Sequence, residues 1–222
     1  ALRLPMRNLA LIEQSGFTQA VMPCAACFNR HKAALHEIRH QPERHEWINR
    51  ELDYTYQDRV QVVSMNDLIF SQVGAEALAG KVKRPLKGLR VVCYYGCLLT
   101  RPPAVTDSPH PENPTDMDAI LRALGAEVLD WSSKTRCCGA AHALGKLDIV
   151  LALSRQLIED ARAAGADAIC LACPMCHANL DGRQFQMELE RTMPVLYFTQ
   201  LMAVALGLPP RAAALHKNLV DP

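Results

Sequence analysis

Arg136-Cys137-Cys138-Gly139 sets two cysteines side by side, with Cys97 upstream and the turn Cys173-Pro174-Met175-Cys176 downstream. Thirty-nine residues separate Cys97 from Cys137, 34 separate Cys138 from Cys173, and two lie inside the closing CxxC. If the chain folds back on itself these five sulfurs meet, and the spacing reads as a metal or cluster site built from three separate loops. A short apolar run precedes each cysteine group: residues 89–95 before Cys97, 127–129 before the pair, 168–171 before the CxxC. Helical patterns over 115–124 and 149–163 alternate with these runs and stop at Gly125 and Gly165. That alternation predicts an α/β fold of mainly parallel strands, with the cysteine loops gathered at strand ends.

Outward from this stretch, the same unit recurs. Gly16, Cys24 and Cys27 match Gly165, Cys173 and Cys176 at a constant separation of 149, in the order helix, Gly, strand, CxxC, helix. The match resumes at a separation of 133, where Asp67-Leu68 meets Gln200-Leu201. The 16-residue difference is a polar, helical insertion near residues 41–58, whose Trp47, Tyr54 and Tyr56 read as packing. Two related units follow, each a small, mainly parallel sheet flanked by helices: residues 1–79, a linker over 80–88, and residues 89–222. In the first, the pattern predicts helices over 6–15 and 28–39, strands over 20–22 and 60–65, and a short helix over 67–73 capped by Asn66. In the second, the five prolines of residues 101–114 exclude regular structure there, and a strand over 194–198 and a helix over 199–206 complete it. Counterparts of Cys97, Cys137 and Cys138 for the first unit fall upstream of Ala1. The expectation is a truncated chain in which Cys24 and Cys27 are half of a second site.

Composition narrows the function. Of 222 residues, half are apolar, enough for one sizeable core or two small ones. With 24 Lys and Arg against 23 Asp and Glu, and no long basic run, the chain lacks the electrostatic footprint of a nucleic-acid binder. Nine cysteines, odd in number and clustered, read as thiols of a reducing compartment and not as a disulfide framework. The longest apolar stretch, residues 195–208, is too short and too polar for a transmembrane segment. The expected location is cytoplasmic, or peripheral to a membrane complex.

The cysteine pair decides between metals. Adjacent cysteines chelate one ion poorly, because the short peptide between them strains the ring, whereas in a cluster each thiolate reaches a different iron. Five thiolates also exceed the needs of one zinc or a four-cysteine cubane. An iron–sulfur cluster is expected, with structural zinc as the alternative. CxxC turns at strand-to-helix junctions gain from backbone N–H groups that favour thiolate. Cys93 and Cys170, inside predicted strands, read as small hydrophobes. Arg101, Lys134 and Arg136 stand near enough to meet an anionic substrate or a partner. His142 and His177 are candidates to give a proton to a departing thiolate, and Trp131 reads as packing.

Cys97, Cys137-Cys138-Gly139 and Cys173-Pro174-Met175-Cys176 resemble the cysteine-rich CCG domain. Tyr94-Tyr95-Gly96-Cys97-Leu98-Leu99-Thr100-Arg101-Pro102 resembles the catalytic B-type subunit of heterodisulfide reductase, and Pro23-Cys24-Ala25-Ala26-Cys27 is similar to the closing CxxC of that family's first CCG motif. The resemblance implies two noncubane 4Fe-4S clusters, one per motif, that reductively cleave a disulfide. It implies as partners a ferredoxin-like C-type subunit and a flavoprotein, the A-type subunit, of a heterodisulfide reductase-like complex. The substrate it implies is the disulfide of coenzymes M and B in methanogens, and other disulfides or lipoyl-type thiols in bacterial relatives. Two further readings stand beside it. One is a CCG-type electron-transfer subunit of a glycolate, lactate, glycerol-3-phosphate or succinate dehydrogenase; the other is a noncatalytic, zinc-stabilised interaction scaffold.

Overall fold

Apolar residues at helical spacing bury Met6, Leu9 and Ala10 on one side of helix α1 (Arg3–Gln14), and the chain leaves it through Gly16 at φ 81°. The computed structural model describes residues 2–222. Strand β1 (Gln19–Met22) runs into α2 (Ala25–His40), whose N-cap is Cys24. Helix α3 (Pro42–Leu52) opens on proline and is mostly exposed, with Ile48 its buried contact. Strand β2 (Gln61–Ser64) leads into α4 (Met65–Leu68), a π-helical turn over Ile69–Val73, and α5 (Ala75–Ala79).

Here the cap differs from expectation. Ser64, not Asn66, starts α4: its hydroxyl accepts from the Asp67 N–H at 3.2 Å while the Asp67 carboxylate accepts from the Ser64 N–H at 3.4 Å. Asn66 is drawn inward instead, 3% exposed, and its amide donates to Asp116.

The second part runs β3 (Arg90–Tyr94), α6 (Pro103–Thr106), α7 (Asp116–Ala123), β4 (Glu127–Leu129), α8 (Leu147–Ala163), β5 (Ala168–Leu171), α9 (Pro174–Leu180), β6 (Val195–Tyr197), α10 (Phe198–Ala205) and α11 (Pro210–Ala213). The proline-rich loop is not wholly irregular, since α6 forms one turn within it. Its proline stands in the first turn, where a missing N–H costs nothing.

All strand pairs are parallel: β1 with β2, and a four-stranded sheet in the order β4-β3-β5-β6. β5 is buried throughout and β3 everywhere but Arg90, as expected of parallel strands covered on both faces. The internal repeat extends to register. Ala20 lies opposite Val62 as Ile169 lies opposite Val195, which are the positions that the two sequence separations relate. Gly16 and Gly165 share φ 81°, and Cys24 caps α2 as Cys173 caps α9.

The insertion is tied down by one carboxylate. Glu13 accepts from the Tyr54 hydroxyl at 2.9 Å and from the N–H groups of Gln57 and Arg59 at 2.8 and 2.9 Å. Burial pushes its pKa up, but these hydrogen bonds outweigh burial and leave it below the ordinary value. Residues 83–86 are tied to the second part: Lys83 and Arg84 N–H both donate to Ala205 O at 2.9 Å, and Leu86 N–H to Leu124 O at 3.0 Å.

Asp116, which receives the Asn66 amide, is held the other way. Burial is the chief cause that pushes its carboxyl up to about 6. A folded-state pKa above the unfolded value means that Asp116 lowers stability progressively as pH rises from about 4 to about 6. Asp116→Asn keeps an acceptor for Asn66 and removes that penalty. It should raise unfolding free energy by about 1–2 kcal/mol at neutral pH, with no gain below about pH 4, as read by urea denaturation at both pH values.

Candidate metal centre

Because β3 and β5 run parallel with Cys93 opposite Cys170, the chain leaves both strands at the same edge, toward Cys97 and Cys173. Gly96 makes the exit possible. It sits at φ 67°, and a Cβ there would lie 3.3 Å from Cys176 Sγ, so only glycine lets the backbone pass under that sulfur. The loop after β4 is stitched to the same strand end. Tyr95 and Gly96 N–H donate to Lys134 O at 2.8 and 3.1 Å, and the Tyr94 hydroxyl donates to Arg136 O at 2.7 Å.

Cys137 and Cys138 then diverge. Exposed Cys137 receives the Cys97 thiol and the N–H groups of Gly139, at 3.3 Å, and Ala140. Cys138, 2% exposed, lies 3.5 Å from Cys176 Sγ and receives Asn179 Nδ2 at 3.6 Å. Cys176 bonds Cys173 as well, and Cys173 receives backbone N–H from Cys176, Met175 and Ala26. Three of the sulfurs become acidic, and a neighbouring thiol is the chief cause in each case, against burial: Cys97 brings Cys137 down to about 6, and Cys176 brings Cys138 to about 7 and Cys173 to about 5. Cys97 and Cys176 are pushed up by those same neighbours and then by burial.

Supports surround the pair. Ser154 Oγ and Asn179 Nδ2 hold the Cys138 carbonyl at 3.3 and 3.2 Å. Gly139, at φ 80°, lets α8 close in, since a Cβ there would lie 3.1 Å from Val150 Cα. Among the described residues no three His, Cys, Asp or Glu side chains surround a point suited to one ion. The sulfurs form two linked sets, Cys97 with Cys137, and Cys138 with Cys176 and Cys173.

The first CxxC meets the second. Ala26, between Cys24 and Cys27, gives its N–H to the Cys173 sulfur. Burial pushes the half-buried Cys24 up to about 11, with Cys27 and Cys173 beside it. Cys27 is exposed. Cys93 and Cys170 are 0% exposed inside β3 and β5, and burial raises both thiols.

The other sequence candidates fall in different surroundings. Arg101 bonds the Thr135 hydroxyl at 3.0 Å and pairs with Glu112, so its guanidinium braces the Cys97 loop against the Cys137 loop. Arg136 pairs with Asp160 at 3.0 Å. His142 is exposed and near enough to lower Cys137 by its charge. His177 is half-buried, with Nε2 3.1 Å from Val195 O and its ring stacked on Tyr197 at 4.6 Å; burial lowers its pKa. Trp131 donates to Cys93 O at 2.9 Å and meets Tyr94 edge-on. Sequence reasoning missed Asn179, although its place three residues after Cys176 on α9 sets it on the same helix face. It also missed Asp118, which buries Lys134 at 2.7 Å; no local pattern marks that pair.

The family model for the cysteine-rich CCG domain matches residues 91–181. Over 223 residues the chain is 30% identical to the membrane anchor subunit of the 8-methylmenaquinol:fumarate reductase of Wolinella succinogenes, covering 97% of this chain and 76% of that one. It is 28% identical over 233 residues to the B-type subunit of the ferredoxin/F420H2-dependent CoB-CoM heterodisulfide reductase of Methanosarcina acetivorans, covering 99% of this chain and 76% of that one. The crystal structure of a hypothetical protein from Helicobacter pylori shares the fold with a TM-score of 0.78 at 14% identity; all of this chain matches 41% of that one. With the cysteine-rich domain on the sulfur-bearing loops and these relatives along nearly its full length, the chain belongs to the CCG-domain family of heterodisulfide reductase B-type subunits.

Proposed function

We propose that the chain is the iron–sulfur subunit of a heterodisulfide reductase-like complex that cleaves or forms a thiol disulfide. The observation that carries this reading is the divergence of Cys137 and Cys138, one turned to Cys97 and the other to Cys176. Side chains that part in this way fit several metal atoms and not one. In this reading Cys97, Cys137, Cys138, Cys173 and Cys176 hold a 4Fe-4S cluster of the noncubane type. Cys24 and Cys27, in residues 1–79, supply part of a second site. When bound, such a cluster supplies electrons one at a time for opening a disulfide.

The chain's own groups do the rest. N–H groups of Gly139, Ala140, Met175 and Ala26 aim at sulfurs and hold their negative charge without rearrangement. The buried Tyr94 ring lies beside Cys138 and Cys176 and covers their β3 side, backed edge-on by Trp131. His142, solvent-facing beside Cys137, is the better placed of the two histidines to give a proton to a departing thiolate, since His177 spends Nε2 on a carbonyl. Partners of the ferredoxin-like and flavoprotein types would deliver the electrons.

The 30% identity to a component of a fumarate reductase favours a second reading, electron transfer within a succinate-type dehydrogenase. Lipoamide given to the iron-loaded chain with reduced viologen separates the two: free thiol appears in the first and none in the second.

Anaerobic loading with iron and sulfide should yield a brown protein holding about four irons per complete site, with a paramagnetic signal. Cys138→Ala and Cys176→Ala should lose that iron, while Cys170→Ala keeps it. A colourless protein holding one zinc overturns the proposal in favour of the scaffold. Gly96→Ala should cost about 1–2 kcal/mol in denaturation from its left-handed backbone and lower iron retention by displacing Cys176 Sγ.

A further inference from the structure

Beneath the two loops that carry Cys97 and Cys137 lies a set of buried polar side chains with no part in the chemistry above. Lys134 is 3% exposed, Asp118 0% and Tyr95 1%. Lys134 Nζ donates to Asp118 Oδ1 at 2.7 Å and to Pro114 O at 3.3 Å. The Tyr95 hydroxyl donates to Asp118 Oδ2 at 2.6 Å and accepts from the N–H groups of Met117 and Asp118 at 2.9 and 3.2 Å. The buried Cys93 thiol lies beside the same carboxylate.

A buried ion pair is a poor device for stability, because apolar residues of the same shape usually serve as well or better. Its position gives it another use. Lys134 stands three residues before Cys137, and Tyr95 two before Cys97. The Lys134 carbonyl takes the Tyr95 and Gly96 N–H groups, while its ammonium reaches, through Asp118, the Tyr95 hydroxyl. Main chain and side chain thus close a ring through β3, the N-terminal turn of α7, and the loop after β4.

We propose that Lys134, Asp118 and Tyr95 are positioning residues whose buried network fixes the Cys97 sulfur against that of Cys137. Main-chain bonds, the Tyr94 hydroxyl on Arg136 O and Arg101 on Thr135 already tie the loop to the β3 side. The network adds a separate line of attachment, on α7, which none of those bonds reaches. Cys173 and Cys176, carried by α9, lie outside it. Only the iron arm of the test rests on the function proposed above.

Lys134→Met/Asp118→Leu replaces the pair by apolar groups, and Tyr95→Phe removes one hydroxyl and serves if the double variant fails to fold. In the metal-free chain, diamide takes two electrons and two protons from a pair of thiols and leaves a disulfide, which peptide mass spectrometry locates. The Cys97–Cys137 link should form about tenfold more slowly, relative to the Cys173–Cys176 link, in the double variant and about threefold more slowly in Tyr95→Phe. With iron and sulfide, the double variant should lose its absorbance to a chelator about fivefold faster and show an altered paramagnetic signal. Glu13→Gln, which weakens the fold far from the sulfurs, should leave the link ratio and the signal as in the parent. Unchanged link ratios in both network variants, or equal changes in Glu13→Gln, overturn the proposal. A parent chain that takes up no iron sinks the functional reading and leaves the thiol arm to decide this one.

Discussion

The pairing of β3 with β5, Cys93 opposite Cys170, is the constraint on which the rest of the sulfur arrangement depends. Parallel strands in one sheet end on the same side, so the residues that follow each are delivered to a common edge. Two strands in register bring Cys97 and Cys173 there, and the loop after β4 brings the adjacent pair. A slip of one residue would turn every side chain of β3 to the opposite face. Because β3 is buried on both faces, burial alone would tolerate that slip; exposed Arg90, paired with Asp167 at 2.7 Å where the strand begins, opposes it, since the slip would carry its charge into the sheet and so misaim the sulfurs.

The same logic operates at the junction of the two sheets. β1 ends as β5 does, its CxxC at the N-terminus of a helix, and the two turns meet where Ala26 touches the Cys173 sulfur. A buried thiol whose charge no neighbouring thiol stabilises resists ionisation, as Cys93 and Cys170 do, burial first and Asp118 second. Thiols given donors become acidic, as Cys137, Cys138 and Cys173 do. One chain thus carries both behaviours, separated first by whether a neighbouring thiol meets the sulfur and then by where backbone N–H groups point.

Much of this was legible in sequence because it depends on local chemistry. Glycine at the end of a helix, an apolar run, and a CxxC at the next helix start each leave a mark, and their repetition at a fixed separation related the two halves down to strand register. What was not legible depends on partners distant in the chain. Asn66 made a plausible cap until Ser64 filled that place and Asp116, fifty residues on, took the amide. Arg101 looked free to meet an anion, yet Glu112 and Thr135 occupy it. Lysine is among the residues least often buried, so Lys134 too read as free to meet an anion, yet it is buried against Asp118. That Cys137 and Cys138 choose different sulfur partners is likewise a property of the closed loops and not of the dipeptide.

Glu13 carries a consequence for loop length. The span from Ala20 to Val62 is 16 residues longer than its equivalent from Ile169 to Val195, yet both close the same strand pair in the same register. Closure entropy rises only with the logarithm of length, so the longer span costs about half a kcal/mol more. Three hydrogen bonds to one buried carboxylate offset that cost. The insertion therefore adds little to the cost of closing β1 on β2, and beyond its Ile48 anchor the exposed face of α3 can change while the cysteine turns on either side of it stay where they are.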